Sequence, residues 1–85
     1  MANEIQVYGT DWCGLTFRVR EYLMKARLGY DFFDVDRDPQ AHEFVLAMTG
    51  EHRRFPLVVV GDDVVAHATI PELERALNAN AIERP

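Results

Sequence analysis

The chain has a single cysteine, Cys13, and the residues around it are the ones best suited to do chemistry. It lies in the stretch Tyr-Gly-Thr-Asp-Trp-Cys-Gly-Leu-Thr at residues 8–16. Before it runs a short alternating segment, and after it a segment of helical periodicity. Where a strand turns into a helix, the first-turn N–H groups lack intrahelical partners and concentrate partial positive charge. A thiol placed there ionises more readily than a free one, so Cys13 is a candidate nucleophile near neutral pH. Position alone leaves a plainer alternative open, a small buried hydrophobe without chemistry. Thr16, one helical turn on, is placed either to donate its hydroxyl to a thiolate or to bond a backbone carbonyl.

What the rest of the composition excludes is as useful. One cysteine rules out an internal disulfide and any multi-cysteine metal site made by the chain alone, so no metal ligands are assigned. With nine Lys and Arg against fourteen Asp and Glu, the net charge of −5 does not suggest a nucleic-acid partner. The basic residues Arg18, Arg20, Lys25 and Arg27 read as solvated helix surface. No apolar run is long enough to cross a membrane, and the N-terminus lacks the layout of a signal peptide. The expected setting is the cytoplasm, where a free thiol stays reduced. Eighty-five residues make one domain, spanning residues 1–85.

The elements that must position Cys13 follow from periodicity and local signals. Residues 4–8 alternate as a strand. From Gly14, Val19, Tyr22, Leu23 and Ala26 form one helical face, with Gly29 as the expected stop. Residues 30–36 alternate again as a second strand. Asp38 offers an N-cap and Pro39 a first helical residue, and Ala41, Phe44, Val45 and Met48 give that helix its apolar face up to Gly50. The run Leu57, Val58, Val59, Val60 is a third strand, Gly61, Asp62 and Asp63 a turn, and Val64, Val65 and Ala66 the returning strand of a hairpin. Thr69, Pro71 and Glu72 form a capping box with proline in the first turn, starting a helix whose Ile70, Leu73 and Leu77 face the sheet. Residues 80–85 read as a tail. The order is β-α-β-α-β-β-α: an α/β fold with a four-stranded mixed sheet and helices on both faces.

That order, with a Trp-Cys-Gly turn after the first strand and an X-Pro entering the hairpin, resembles the glutaredoxins within the thioredoxin fold. The likeness is nearest to the mycoredoxins and their glutaredoxin-like relatives, which carry a Tyr-x-x-x-Trp-Cys-Gly-x-Cys turn. Tyr8, Trp12, Cys13, Gly14 and Pro56 stand at the matching positions. The resemblance implies thiol–disulfide exchange on protein mixed disulfides of a low-molecular-weight thiol, glutathione or mycothiol, which acts as co-substrate with no permanently bound cofactor. It implies Cys13 and Thr16 as catalytic residues. It also implies a binding surface of Trp12, Leu15, Arg54, Phe55, Pro56, His67 and Thr69, with Pro56 cis and the Phe55 backbone free to pair with a ligand. A monomer is expected.

The departures from the family pattern set the alternatives. Thr16 replaces the second cysteine, leaving a monothiol Cys-Gly-Leu-Thr turn. Thr10 stands where many glutaredoxins have lysine, and Ala66, His67, Ala68 and Thr69 replace the Gly-Gly-Cys-Asp-like segment. The same outline fits the monothiol glutaredoxins that carry a [2Fe–2S] cluster between two subunits. It also fits an interaction module whose cysteine does not turn over. Finally, Asp11 is expected to cap the first helix rather than oppose the thiolate.

Overall fold

The computed structural model describes residues 4–50 and 55–83. Its elements are β1 (Ile5–Gly9), α1 (Gly14–Lys25), β2 (Asp31–Asp34), α2 (Pro39–Thr49), β3 (Leu57–Val60), β4 (Asp63–Val65) and α3 (Ile70–Ala79). The strands form one sheet in the order β2-β1-β3-β4. β1 runs parallel to β2 and antiparallel to β3, and β3 pairs antiparallel with β4.

Side-chain alternation along the central strands sorts the helices to the two faces. Ile5 and Val7 of β1 and Val58 and Val60 of β3 pack with Val19 and Leu23 of α1 and Leu73, Ala76 and Leu77 of α3. Tyr8 and Leu57 point the other way, toward Ala41 and Val45 of α2. The Tyr8 ring is stacked against Phe33 and Phe44, with centroids 4.9 and 4.7 Å apart. β3 can be continuously apolar because it is covered on both sides.

Local signals fixed the helix starts. Asp38 Oδ1 accepts the N–H groups of Gln40 and Ala41, as an N-cap carboxylate should. Gly50, at φ 73°, closes α2. Met48, expected on the apolar face, is 49% exposed.

The far ends of α1 and α3 differ from expectation. α1 stops at Lys25, and the left-handed residue is Arg27 (φ 58°), not Gly29. Arg27 N–H bonds Met24 O and Leu28 N–H bonds Leu23 O, which turns Leu28 onto the core. α3 ends the same way, with Ala81 at φ 55° and Ile82 N–H on Leu77 O. In both, burial of the next apolar side chain selects the stopping point over the preference of glycine for this conformation. Residues 80–83 are therefore part of the fold: Asn80 Nδ2 donates to Asp63 Oδ2 and Ala76 O, each at 2.8 Å.

The strands are also trimmed. β2 ends at Asp34, because Asp36 N–H turns back to Asp34 Oδ1. The hairpin turn is Gly61 and Asp62 alone, since Asp63 already pairs with Val60 and Ala66 lies beyond β4. Gly61 has φ 57° and a Cβ there would sit 2.5 Å from Asn80 Oδ1, so this turn requires glycine.

Candidate functional site

The sheet register brings four connections to one end. Gly9 pairs with Asp34, Tyr8 with Leu57, and Val58 with Val65. The β1–α1 turn, the start of the β2–α2 loop, the residues entering β3 and those leaving β4 therefore share that end.

Cys13 is the N-cap of α1, in extended conformation at φ −84° and ψ 119°. Its N–H bonds Thr10 O at 3.4 Å, and its carbonyl accepts the first helical N–H, from Phe17. As a thiol it makes no capping hydrogen bond, and the first turn of α1 holds no acidic residue. The hydroxyl of Thr16 is buried and has no hydrogen-bond partner of ordinary geometry. A thiolate changes this, because the charged sulfur attracts donors that a thiol barely engages. Burial acts to raise the Cys13 pKa, but the Thr16 hydroxyl and the N–H groups of Thr16 and Leu15 outweigh it. The thiol is held below its ordinary value.

Close packing sets Thr16 in place. A Cβ at Gly9 would lie 2.5 Å from Thr16 Oγ1 and 2.6 Å from its Cγ2, so only glycine lets α1 approach β1 this closely. Sequence reasoning passed over this residue. Its one signal was a glycine at the end of an otherwise regular strand.

Asp11 does not cap α1. Its carboxylate lies 3.5 Å from Arg20 Nη1. Arg20 is further held by the Tyr30 hydroxyl and lies 4.0 Å over the Phe32 ring. The pair ties the turn to β2, and this arginine is engaged in structure rather than aimed at the thiolate.

Trp12 is 69% exposed, with its indole Nε1 donating to Asp36 Oδ2 at 2.7 Å. The alternation that extends the expected second strand to Asp36 carries no sign of this bond, which forms because Asp36 lies past the end of β2. Phe17 lies off the apolar stripe of α1 and leaves its ring 59% exposed one turn from Cys13. Leu15 is half-buried.

The Phe55–Pro56 peptide is cis, as expected. The Phe55 side chain joins the α2-side core, and its carbonyl accepts a hydrogen bond from His67 Nδ1 at 2.9 Å, which engages one of the two lone pairs of that oxygen. Ala68 N–H bonds Pro56 O at 2.9 Å. Thr69 is engaged in the capping box, its hydroxyl donating to Glu72 Oε1 at 2.9 Å. Arg54 lies outside the described residues. Among the described residues no group of three or more His, Cys, Asp or Glu is disposed to hold a metal ion, and no helix is long and apolar enough to cross a membrane.

A cysteine capping the first helix after β1, with a cis-proline entering β3, defines a thioredoxin-like protein. The glutaredoxin family profile matches residues 5–65, and the chain belongs to the glutaredoxin family of thiol–disulfide exchange proteins. Mycoredoxin 1 of Corynebacterium glutamicum is 35% identical over 71 residues, which cover 81% of this chain and 82% of that one. The crystal structure of the thioredoxin-like protein BC3987 superposes with a TM-score of 0.76 at 32% identity, covering 86% of this chain and 99% of the other. The glutaredoxin of Archaeoglobus fulgidus shares the fold, with a TM-score of 0.75 at 22% identity over 88% of this chain and 86% of its own. Membership of the glutaredoxin family and the likeness to mycoredoxin 1 imply a low-molecular-weight thiol as co-substrate.

Proposed function

We propose that this chain is a monothiol exchange protein acting, as one glutaredoxin-like domain over residues 1–85, on mixed disulfides between proteins and a small thiol. The Cys13 thiolate attacks the small-thiol sulfur, the disulfide breaks, and the protein leaves as its thiolate. A second small-thiol molecule then attacks the Cys13 adduct, releasing the small-thiol disulfide and regenerating Cys13. The observation that carries this reading is the N-cap of α1: a lone cysteine whose charged form gains the Thr16 hydroxyl and two N–H donors.

Thr16 acts here as a hydrogen-bond donor to the sulfur, not as a resolving group. Trp12 and Leu15 flank the thiol, Phe55, Pro56, His67 and Thr69 form the facing wall, and Arg54 meets a ligand carboxylate. The likeness to mycoredoxin 1 supports mycothiol, with glutathione as the other small thiol of suitable chemistry. The protein works as a monomer in the cytoplasm, where reduced thiols regenerate it.

Incubating the reduced protein with glutathione disulfide and with mycothiol disulfide, and weighing it intact, tests the proposal. One small-thiol adduct is expected on Cys13, and none on Cys13→Ser. A purified protein that is brown and loses colour with Cys13→Ser points instead to a cluster carried between two copies. A thiol that reacts no faster than free cysteine leaves an interaction module presenting Trp12 and Phe17.

A further inference from the structure

A negative charge close to a thiol opposes its ionisation, and the turn that carries Cys13 has a carboxylate two residues before it. That spacing keeps the two Cα atoms within about 7 Å. The Asp11 side chain is 59% exposed, so packing alone does not fix where its charge points. It is engaged instead with α1, Asp11 Oδ1 lying 3.5 Å from Arg20 Nη1. Burial and the donors of Thr16 and Leu15 set the ionisation of Cys13, and no carboxylate is among the groups that act on it.

An exposed ion pair is by itself a weak tether, because two long side chains lose freedom in forming it. Arg20 has lost that freedom already. Its Nε donates to the Tyr30 hydroxyl at 3.3 Å, and its guanidinium carbon lies 4.0 Å from the Phe32 ring centroid. Tyr30 and Phe32 are in turn packed against the core between the sheet, α1 and α3. The planar fork meets a hydroxyl, a ring face and a carboxylate at once, which a lysine ammonium does not reproduce. Asp11 therefore docks on a cation that other contacts hold in place.

The remaining titratable side chains at this end have partners of their own. Asp36 accepts from Trp12 Nε1, and Asp34 Oδ2 lies 3.7 Å from Arg37 Nε. Glu72 accepts the Thr69 hydroxyl, and His67 Nδ1 bonds Phe55 O. Arg18 of α1 is exposed to solvent. Asp11 is the carboxylate nearest to Cys13 in the chain, and Arg20 is the cation that holds it.

We propose that Arg20 is a positioning residue for the exchange reaction: it holds the Asp11 carboxylate against α1 and β2, off the sulfur that has to carry negative charge. This role rests on the exchange reading above, and adds what keeps a second negative charge from the nucleophile.

A double-mutant cycle tests it. Thiolate absorbance against pH gives the Cys13 midpoint, and alkylation by iodoacetamide, an uncharged reagent, gives the rate. Arg20→Met keeps an apolar stem beside Phe32 and removes the guanidinium. It is expected to raise the midpoint by about half a pH unit, the effect of one carboxylate at ~7 Å in water-like surroundings. Alkylation below the midpoint is then expected to slow about threefold. Asp11→Asn is expected to titrate at or below the wild-type midpoint. In Asp11→Asn, Arg20→Met is expected to have no effect, because no carboxylate is left to release. Arg20→Gln repeats the cycle, so that the test does not depend on one variant folding, and thermal unfolding verifies each. An unchanged midpoint in both Arg20 variants overturns the role of Arg20. So does an equal rise with and without Asp11, which makes Arg20 act on the sulfur directly or through the helix. In either case adduct formation with glutathione disulfide or mycothiol disulfide leaves the exchange reading standing. A wild type that forms neither adduct overturns the exchange reading, and this role with it, whatever the shift.

Discussion

Three helices begin among the described residues, and α1 is finished differently from the other two. At α2, Asp38 supplies a carboxylate that accepts two first-turn N–H groups. At α3, Thr69 and Glu72 close a capping box, and the Thr69 hydroxyl holds the Glu72 carboxyl below its usual range. At α1 the cap is Cys13, the thiol bonds no first-turn N–H, and no acidic residue stands in that turn. A helix N-terminus attracts one negative group. α2 and α3 provide it from ordinary capping residues, whereas α1 reserves the place for the thiolate. Reactivity in this molecule therefore comes from a capping interaction left unmade until the sulfur ionises.

The most drastic way to break the comparison is Cys13→Ser. It removes the nucleophile, so adduct formation with small-thiol disulfides is expected to vanish. It also installs a good capping residue, so α1 becomes like its neighbours. Stability is expected to rise by about 1 kcal/mol, read as a melting temperature higher by roughly 4–8 °C for a domain of this size. A lower melting temperature than wild type means that the cap was not vacant.

Gly9→Ala attacks the same place from the strand side. The added methyl meets both branches of the Thr16 side chain. Since these atoms belong to a β-branched residue on a packed helix, α1 has to shift, at an expected cost of about 1–3 kcal/mol in denaturant unfolding. The Cys13 pKa is expected to rise in the same variant, as the Thr16 hydroxyl moves off the sulfur. Loss of stability without any change in thiolate absorbance separates the packing role of Gly9 from a role in aiming Thr16.

Asp38→Ala supplies the control at α2. Losing a carboxylate that satisfies two N–H groups is expected to cost about 1 kcal/mol. The rate of Cys13 alkylation is expected to stay at the wild-type value, because this cap serves only its own helix. A slowed thiol makes the two N-termini coupled rather than separate.

The parts of this contrast that were legible in the sequence are the ones written in short range. Asp38 before Pro39, and Thr69 three residues before Glu72, are local signals and fell where expected. Alternation in residues 4–8 and the apolar run at 57–60 placed the central strands. Cys13 and the cis-proline wall were legible through the resemblance of the whole turn to a known family. What escaped depends on contacts distant in the chain. Trp12 meets Asp36 across 24 positions, and His67 meets Phe55 across 12. Pairing of this kind leaves no periodicity to read. The stop at Arg27 escaped for another reason: glycine's preference was a sound local guide, but burial of Leu28 against the core decided the outcome.

The finest test of the comparison is Thr16→Val, which keeps the shape and deletes the hydroxyl. With Cys13 protonated, the wild-type hydroxyl is a buried polar group without a partner, and such groups are costly. The variant is then expected to be equal to or more stable than wild type, by up to about 1 kcal/mol. Raising the pH reverses the balance. The folded Cys13 pKa lies below the ordinary thiol value, so the unfolded chain binds more protons between the two pKa values, and stability rises with pH. This contribution is complete above the unfolded thiol pKa and is lost as pH falls through the folded one. Thr16→Val loses the first-named of the three donors, so its Cys13 pKa is expected to lie higher and its stability to climb less over the same window. Thiolate absorbance near 240 nm against pH, paired with urea unfolding below and above the transition, reads both effects. Parallel stability curves for the two proteins at all pH values assign Thr16 to packing alone and leave the N–H groups of α1 as the only groups that hold the thiolate.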